Sequence, residues 1–188
     1  MRARRFSETI REFVIHTPSL NLLSFFTTFG FLIACHVKKD QHPTNLYCLA
    51  GFTLSIASSI ATVCAVYYAR GLGLVVLEAL ALTASVTCGL TVYTLRSKRD
   101  FSFMGAGLYS GLCCMLGYGL ISMLFGFSTG GLYSMFGAIL FCGFIIYDVD
   151  QTMHKIGVDD YVMAAINIYL DIINLFLFIL QMLSSNDR

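Results

Sequence analysis

The sequence predicts an all-α, polytopic transmembrane bundle of about six spans, and three observations carry that prediction. Apolar residues make up 57% of the 188 residues and charged ones only 12%, whereas a soluble domain is about half apolar and about a quarter charged. The apolar residues are grouped in runs of about 20, the length that crosses a bilayer as a helix. The runs are separated by short polar punctuation, which forces consecutive helices to lie antiparallel.

The elements follow in chain order. Residues 1–19 place Phe6, Ile10, Phe13 and Val14 on one helical stripe and keep Arg4, Arg5, Glu8, Arg11 and Glu12 largely off it, the pattern of an amphipathic interfacial helix. No small-residue cleavage motif follows a short apolar core, so the first span is expected to be an uncleaved anchor. The six spans are predicted at 20–37, 45–69, 73–95, 103–125, 131–153 and 160–183, joined by "KKDQHPT", "RGLG", "RSKRDF", "STGG" and "HKIGVDD". A tail of 184–188 closes the chain. No repeat, low-complexity tract or linker interrupts 20–183, so this region is expected to be one bundle.

Gly107 and Gly111 form a GxxxG pair in "GAGLYSG", and Gly117, Gly119, Gly137 and Gly143 are expected to add small surfaces for close helix approach. The same segment does not satisfy GxGxxG and follows no strand, so it is not read as a nucleotide loop. All seven cysteines (Cys35, Cys48, Cys64, Cys88, Cys113, Cys114, Cys142) fall in apolar runs without zinc or disulfide spacing, and are read as reduced, buried small residues. The net charge is only +1 and the basic residues sit in short clusters, which offers no broad face for nucleic acid.

Loops one, three and five carry Lys38, Lys39, Arg96, Lys98, Arg99 and Lys155, against Arg70 alone in loops two and four. The positive-inside rule puts the first group in the cytoplasm. With six crossings the N-terminus is then lumenal, and Arg2, Arg4, Arg5 and Arg11 stand on the side the rule disfavours.

The stretch "FIIYDVDQTMHKIGVDDYVMAAINIYLDIINLF", residues 144–176, sets carboxylates against apolar runs. A carboxylate at mid-membrane costs about 2.5–3.5 kcal/mol on insertion scales, so it pairs, takes a proton or lines water. Asp171 lies roughly 16 Å into the last span, near the middle of the hydrocarbon. Asn167 and Asn174, four before and three after it, share its helical face. Asp148 lies near the cytoplasmic end of the preceding, antiparallel span, so the two carboxyl groups meet if their faces match. Two carboxylates in contact would share a proton near neutral pH and act as a pH-dependent latch. The plainer readings are an ordinary interhelical hydrogen bond for Asp171 or Asp148, a solvated helix-end carboxylate for Asp150, a snorkelling side chain for Glu78 and a solvated loop residue for His154.

These residues also carry a likeness. "FCGFIIYDVDQTMHKIGVDDYVMAAINIYLDIINLF", with "HPTNLYCLAGFTL", "LTVYTLRSKRDFSFMGAGL" and "FVIHTPSL", resembles the transmembrane BAX inhibitor motif family, also called lifeguard, and within it the Golgi anti-apoptotic branch. The likeness runs from near residue 11 to residue 183. It implies a bundle of the Bax inhibitor type, in Golgi or endoplasmic reticulum membranes, that leaks calcium and restrains cell death. By residue match the family's pH-sensing aspartate pair falls on Asp148 and Asp171. In a bacterial relative an arginine after an early span latches onto that pair; the matching position here is Lys39, which lacks the bidentate fork. The family's first span has no counterpart: only its end matches "IREFVIHTPSL", and residues 1–10 stand outside the likeness. A missing span would account for the orientation conflict.

The function expected from these readings is a pH-sensitive calcium leak channel of internal membranes that lowers stored calcium and inhibits apoptosis. It is expected not to be an enzyme and to need no cofactor. Calcium would be the permeant ion at a weak site made by Asp148 and Asp171, with Asn167, Asn174, Glu78, Asp150 and Lys39 as supporting polar residues. The expected partners are the lipid bilayer, calcium, and cell-death regulators of the Bcl-2 type or calcium-release channels. Two other classes stand beside it: a non-conducting scaffold acting through its loops, and an intramembrane aspartyl protease. The protease is the weaker, since such enzymes carry GxGD at the second aspartate and this chain has "YLDI".

Overall fold

A computed structural model describes residues 18–39, 41–126, 130–154 and 161–186. The predicted N-terminal interfacial helix and Lys155 lie outside these residues. Six α-helices account for nearly all of the described chain: α1 (Pro18–Val37), α2 (Thr44–Ala69), α3 (Gly73–Arg96), α4 (Gly105–Phe125), α5 (Gly131–His154) and α6 (Tyr161–Asn186). A 3-10 turn, Ser102–Met104, leads into α4. The helices form because the apolar runs contain no proline: the chain's two prolines open α1 (Pro18) and precede α2 (Pro43), positions where the missing N–H costs no ladder bond. The helices from α2 onward are five segments long and apolar enough to cross a membrane. Their exposed surface is itself apolar, with Met123 84% and Phe136 61% accessible. Such faces need lipid around them. This is an integral membrane protein.

The described chain divides into two compact units, residues 1–76 and 77–188. In the first, α1 and α2 form an antiparallel hairpin. Its seam is a hydroxyl ladder: Thr28 Oγ1 lies 2.7 Å from the Ser24 carbonyl and 3.1 Å from Ser55 Oγ. Ser55 Oγ lies 3.3 Å from the Ser24 carbonyl, and Ser58 Oγ 3.2 Å from Ser24 Oγ. One turn further along, the Phe31 ring covers Gly51 so closely that a side chain there would overlap it. At the looped end of the hairpin Asn45 Nδ2 donates to the Lys39 carbonyl at 3.0 Å. After α2 the chain turns at Gly71, whose φ of +82° is one that glycine adopts without penalty, and the Leu72 N–H closes the turn on the Tyr67 carbonyl at 3.1 Å.

In the second unit α5 and α6 are the most extensively packed pair of helices. Their antiparallel register is visible in successive layers: Gly131 faces Ser185 Oγ, Gly137 lies under the Phe178 ring, and Phe178 stacks on Phe141 with ring centres 5.7 Å apart. α4 packs on α5 through Gly111 against Leu140 and Gly143 against Leu108, and Tyr133 donates its hydroxyl to the Met115 carbonyl at 3.2 Å. The expected GxxxG pair is thus half used. Gly107 and Gly117 face open space, because α4 turns only one side to α5 and spacing does not say which. Gly126, at φ +71°, ends α4.

The cysteines also depart from expectation. All seven are free, as read, but only Cys35 is buried, and Cys88, Cys113 and Cys114 are exposed on apolar helix faces. In a membrane protein an apolar setting in sequence includes the surface turned to lipid, so it does not imply burial.

Candidate functional site

The α5–α6 seam carries the chemistry. Asp171 lies midway along α6 and is 6% exposed. Asp148, half-buried, lies in the last two turns of α5. The two side chains meet, near enough for one carboxyl to hydrogen bond to the other. Oδ2 of Asp171 has no hydrogen-bond donor among the described residues. Two carboxylates held together in a largely buried seam repel each other, and a proton or a cation between them relieves that repulsion.

Tyr109 of α4 completes the surroundings, and the sequence reading passed over it. Its ring packs edge-on against Phe144 (5.5 Å between centres) and Tyr147 (6.4 Å) of α5, and its phenol lies within the electrostatic reach of both aspartates. The only signal was a tyrosine in the middle of an apolar span, which is also where a tyrosine packs as a plain hydrophobe.

The expected supporting residues are scattered. Asn174 turns its amide back to the Leu170 carbonyl of its own helix at 2.9 Å, and Asn167 is exposed, so the polar stripe on α6 does not converge on Asp171. Glu78 is exposed on α3. Lys39 belongs to the first unit, where its carbonyl receives Asn45. Among the described residues no three His, Cys, Asp or Glu side chains gather as metal ligands.

Asp150 overturns its plain reading. It is 1% exposed rather than solvated, because the segment after α3 folds over the end of α5. Oδ2 accepts the backbone N–H of Phe101 at 3.1 Å, and Gln151 Nε2, one residue on, donates to Ser102 Oγ at 3.2 Å. On the other side His154 Nδ1 lies 3.1 Å from Oδ1 and 3.1 Å from the Asp150 carbonyl. The approach to Oδ1 is that of an ion pair without the alignment of a hydrogen bond. His154 is exposed as expected, yet it is the neighbour of a buried carboxylate.

A separate open groove of about 600 Å³ lies at the end of α3, lined by Gly89, Val92, Tyr93, Arg96, Ser97 and Arg99. Neither aspartate of the pair lines it.

In class, then, this is a polytopic helical membrane protein whose last two long apolar helices bring two carboxyl groups together in the seam between them. The family profile described as "Inhibitor of apoptosis-promoting Bax1" matches residues 6–188, so the match starts earlier than the expected residue 11 and takes in the tail. The chain is 43% identical over 182 residues to the Golgi anti-apoptotic protein of Vaccinia virus (strain Lister), covering 96% of this chain and 75% of that protein. It is 41% identical over 182 residues to Protein lifeguard 4 of Mus musculus, with the same 96% and 75% coverage. To a BI1-like protein of Arabidopsis thaliana it is 35% identical over 184 residues, covering 95% and 70%. The chain belongs to the Bax inhibitor, or lifeguard, family.

Proposed function

We propose that the protein is a pH-sensitive calcium leak channel of internal membranes that lowers stored calcium and thereby restrains apoptosis. The observation that carries the reading is the contact between Asp148 and Asp171 in the α5–α6 seam. Oxygen ligands suit calcium, and two carboxyl groups with few other ligands bind it weakly enough to release it. While the carboxyl groups hold each other through a shared proton the seam is closed; a change in that proton's occupancy repels or releases them and opens a path. The apoptotic role rests on the names of the relatives, and a Golgi location on that of the viral relative, with the endoplasmic reticulum as the neighbouring compartment of the same membrane system. The bilayer and calcium are the immediate partners, and regulators of the Bcl-2 type or calcium-release channels are the protein partners such a role would involve.

A proteolytic reading draws on the same carboxyl pair, and a scaffold reading on the apoptotic names alone. Purified chain in calcium-loaded liposomes separates the three. The proposal expects calcium efflux that varies with pH; cleavage of a transmembrane peptide without efflux would replace it with a protease, and neither activity would leave a scaffold.

A further inference from the structure

We infer that Asp150 is a positioning residue: its bond to the Phe101 amide fixes the last turn of α5 and so presents Asp148 to Asp171. Residues two apart on a helix point to nearly opposite sides, about 200° apart. Accordingly Asp148 faces α6 while Asp150 faces the segment that links α3 to α4. Gln151 adds a second strap through Ser102, and Tyr147 adds a third contact, its ring lying against Gly105 at the start of α4. The linking segment is itself well held. Asp100 Oδ1 accepts the Ser102 N–H at 2.8 Å, and the largely buried Phe101 ring lies 6.1 Å from that of Tyr93.

A helix end has four carbonyls without intrahelical partners and frays unless something ties it. The described part of α5 runs to His154, fewer than two turns beyond Asp148 at 3.6 residues per turn, so fraying there would reach the aspartate pair. A carboxylate is also an expensive choice for a buried site. A buried acceptor that takes one particular backbone N–H across 49 residues of chain is a registry device. The segment 97–104 and the aspartate pair therefore form one mechanical unit, with Asp150 as the joint.

The consequence for conduction rests on the leak reading, so the test has two arms. The first follows hydrogen–deuterium exchange of the Phe101 amide and of the amides of residues 148–154 in full-length protein in lipid nanodiscs. Asp150→Asn keeps an acceptor oxygen and should leave both sets as protected as in the wild type. Asp150→Leu keeps the branched heavy-atom skeleton, with bulkier methyl groups and no acceptor, and should speed exchange at Phe101 and at the end of α5 by tenfold or more. Should Asp150→Leu not fold, Ser102→Ala, which removes the hydroxyl that receives Gln151, is expected to speed exchange at 151–154 severalfold. Faster exchange confined to Phe101, or equal loss in Asp150→Asn, overturns the inference. The second arm is calcium efflux, which Asp150→Leu should alter and Asp150→Asn should preserve. Efflux identical in both variants and the wild type, with α5 loosened, overturns the link to the pair. A wild type with no efflux sinks the leak reading instead, and the exchange arm still decides the positioning role.

Discussion

Phe178 of α6 lays its ring over Gly137 of α5, so closely that even a methyl group added at Gly137 would overlap it. The ring has little room to give way, since it also stacks on Phe141 and meets Tyr133 edge-on at 5.8 Å. Gly137→Ala is therefore expected to destabilise the α5–α6 pair by about 1–3 kcal/mol, the usual cost of overpacking. Gly107→Ala, whose new methyl meets open space, should be neutral or slightly stabilising through helix propensity. Thermal unfolding of the two variants in one detergent checks the contrast, and equal effects would show that the glycines do not differ in packing.

The hydroxyl ladder of the first hairpin should behave as one unit. Thr28→Val removes the interhelical contact with Ser55, and Ser55→Ala removes that contact and the one to the Ser24 carbonyl, each of a kind worth about 0.6 kcal/mol in membranes, and at most about 1.7. Both hydroxyls converge on the Ser24 carbonyl, so the double variant should lose less than the sum of the singles. Unfolding midpoints of the three variants measure this directly, and strict additivity would mean that the hydroxyls act separately.

Topology gives a third expectation. The basic residues of loops one and three lie at or follow the ends of α1 and α3, and the positive-inside rule assigns each of these loops to the cytoplasm. Ser97→Cys should react with a membrane-impermeant maleimide in sealed vesicles whose cytoplasmic face is outward, above the background of the wild type. Reaction only after the vesicles are permeabilised would invert the orientation.

How much of this was legible in the sequence depends on the kind of information each feature needs. Helix positions were, because length, apolar runs and short punctuation are local properties: the expected span 131–153 is observed as Gly131–His154, and 73–95 as Gly73–Arg96. The nearness of Asp148 and Asp171 could be anticipated as far as depth along two antiparallel neighbours allows, while the matching of faces required the packed structure. Asp150 was misread because its burial depends on a segment 49 residues away folding over a helix end, which periodicity does not encode. Gly107 and the exposed cysteines were misread for a related reason. In lipid both sides of a helix are apolar, so composition alone does not distinguish the packed face from the free one.

The fourth expectation concerns the aspartate pair, and it is the most decisive. Asp171→Asn should change the calcium leak and remove most of its pH dependence around neutrality. Asparagine preserves the shape and part of the hydrogen bonding in the seam but cannot ionise, so Asp148 no longer faces a second carboxyl group and no proton is shared. Asp148→Asn should give nearly the same profile, since removing either partner dissolves the pair. The double variant should add little to either single change, because side chains that act as one unit are not additive. Tyr109→Phe makes a useful companion: it keeps the ring against Phe144 and Tyr147 and removes only the phenolic hydroxyl, so pH dependence should survive in altered form. Efflux from liposomes between about pH 6 and pH 8, the range into which burial and coupling bring carboxyl groups, reads all four variants. Additive effects of the two asparagines, or an unchanged profile in both singles with the fold intact, would show that the leak does not run through this pair.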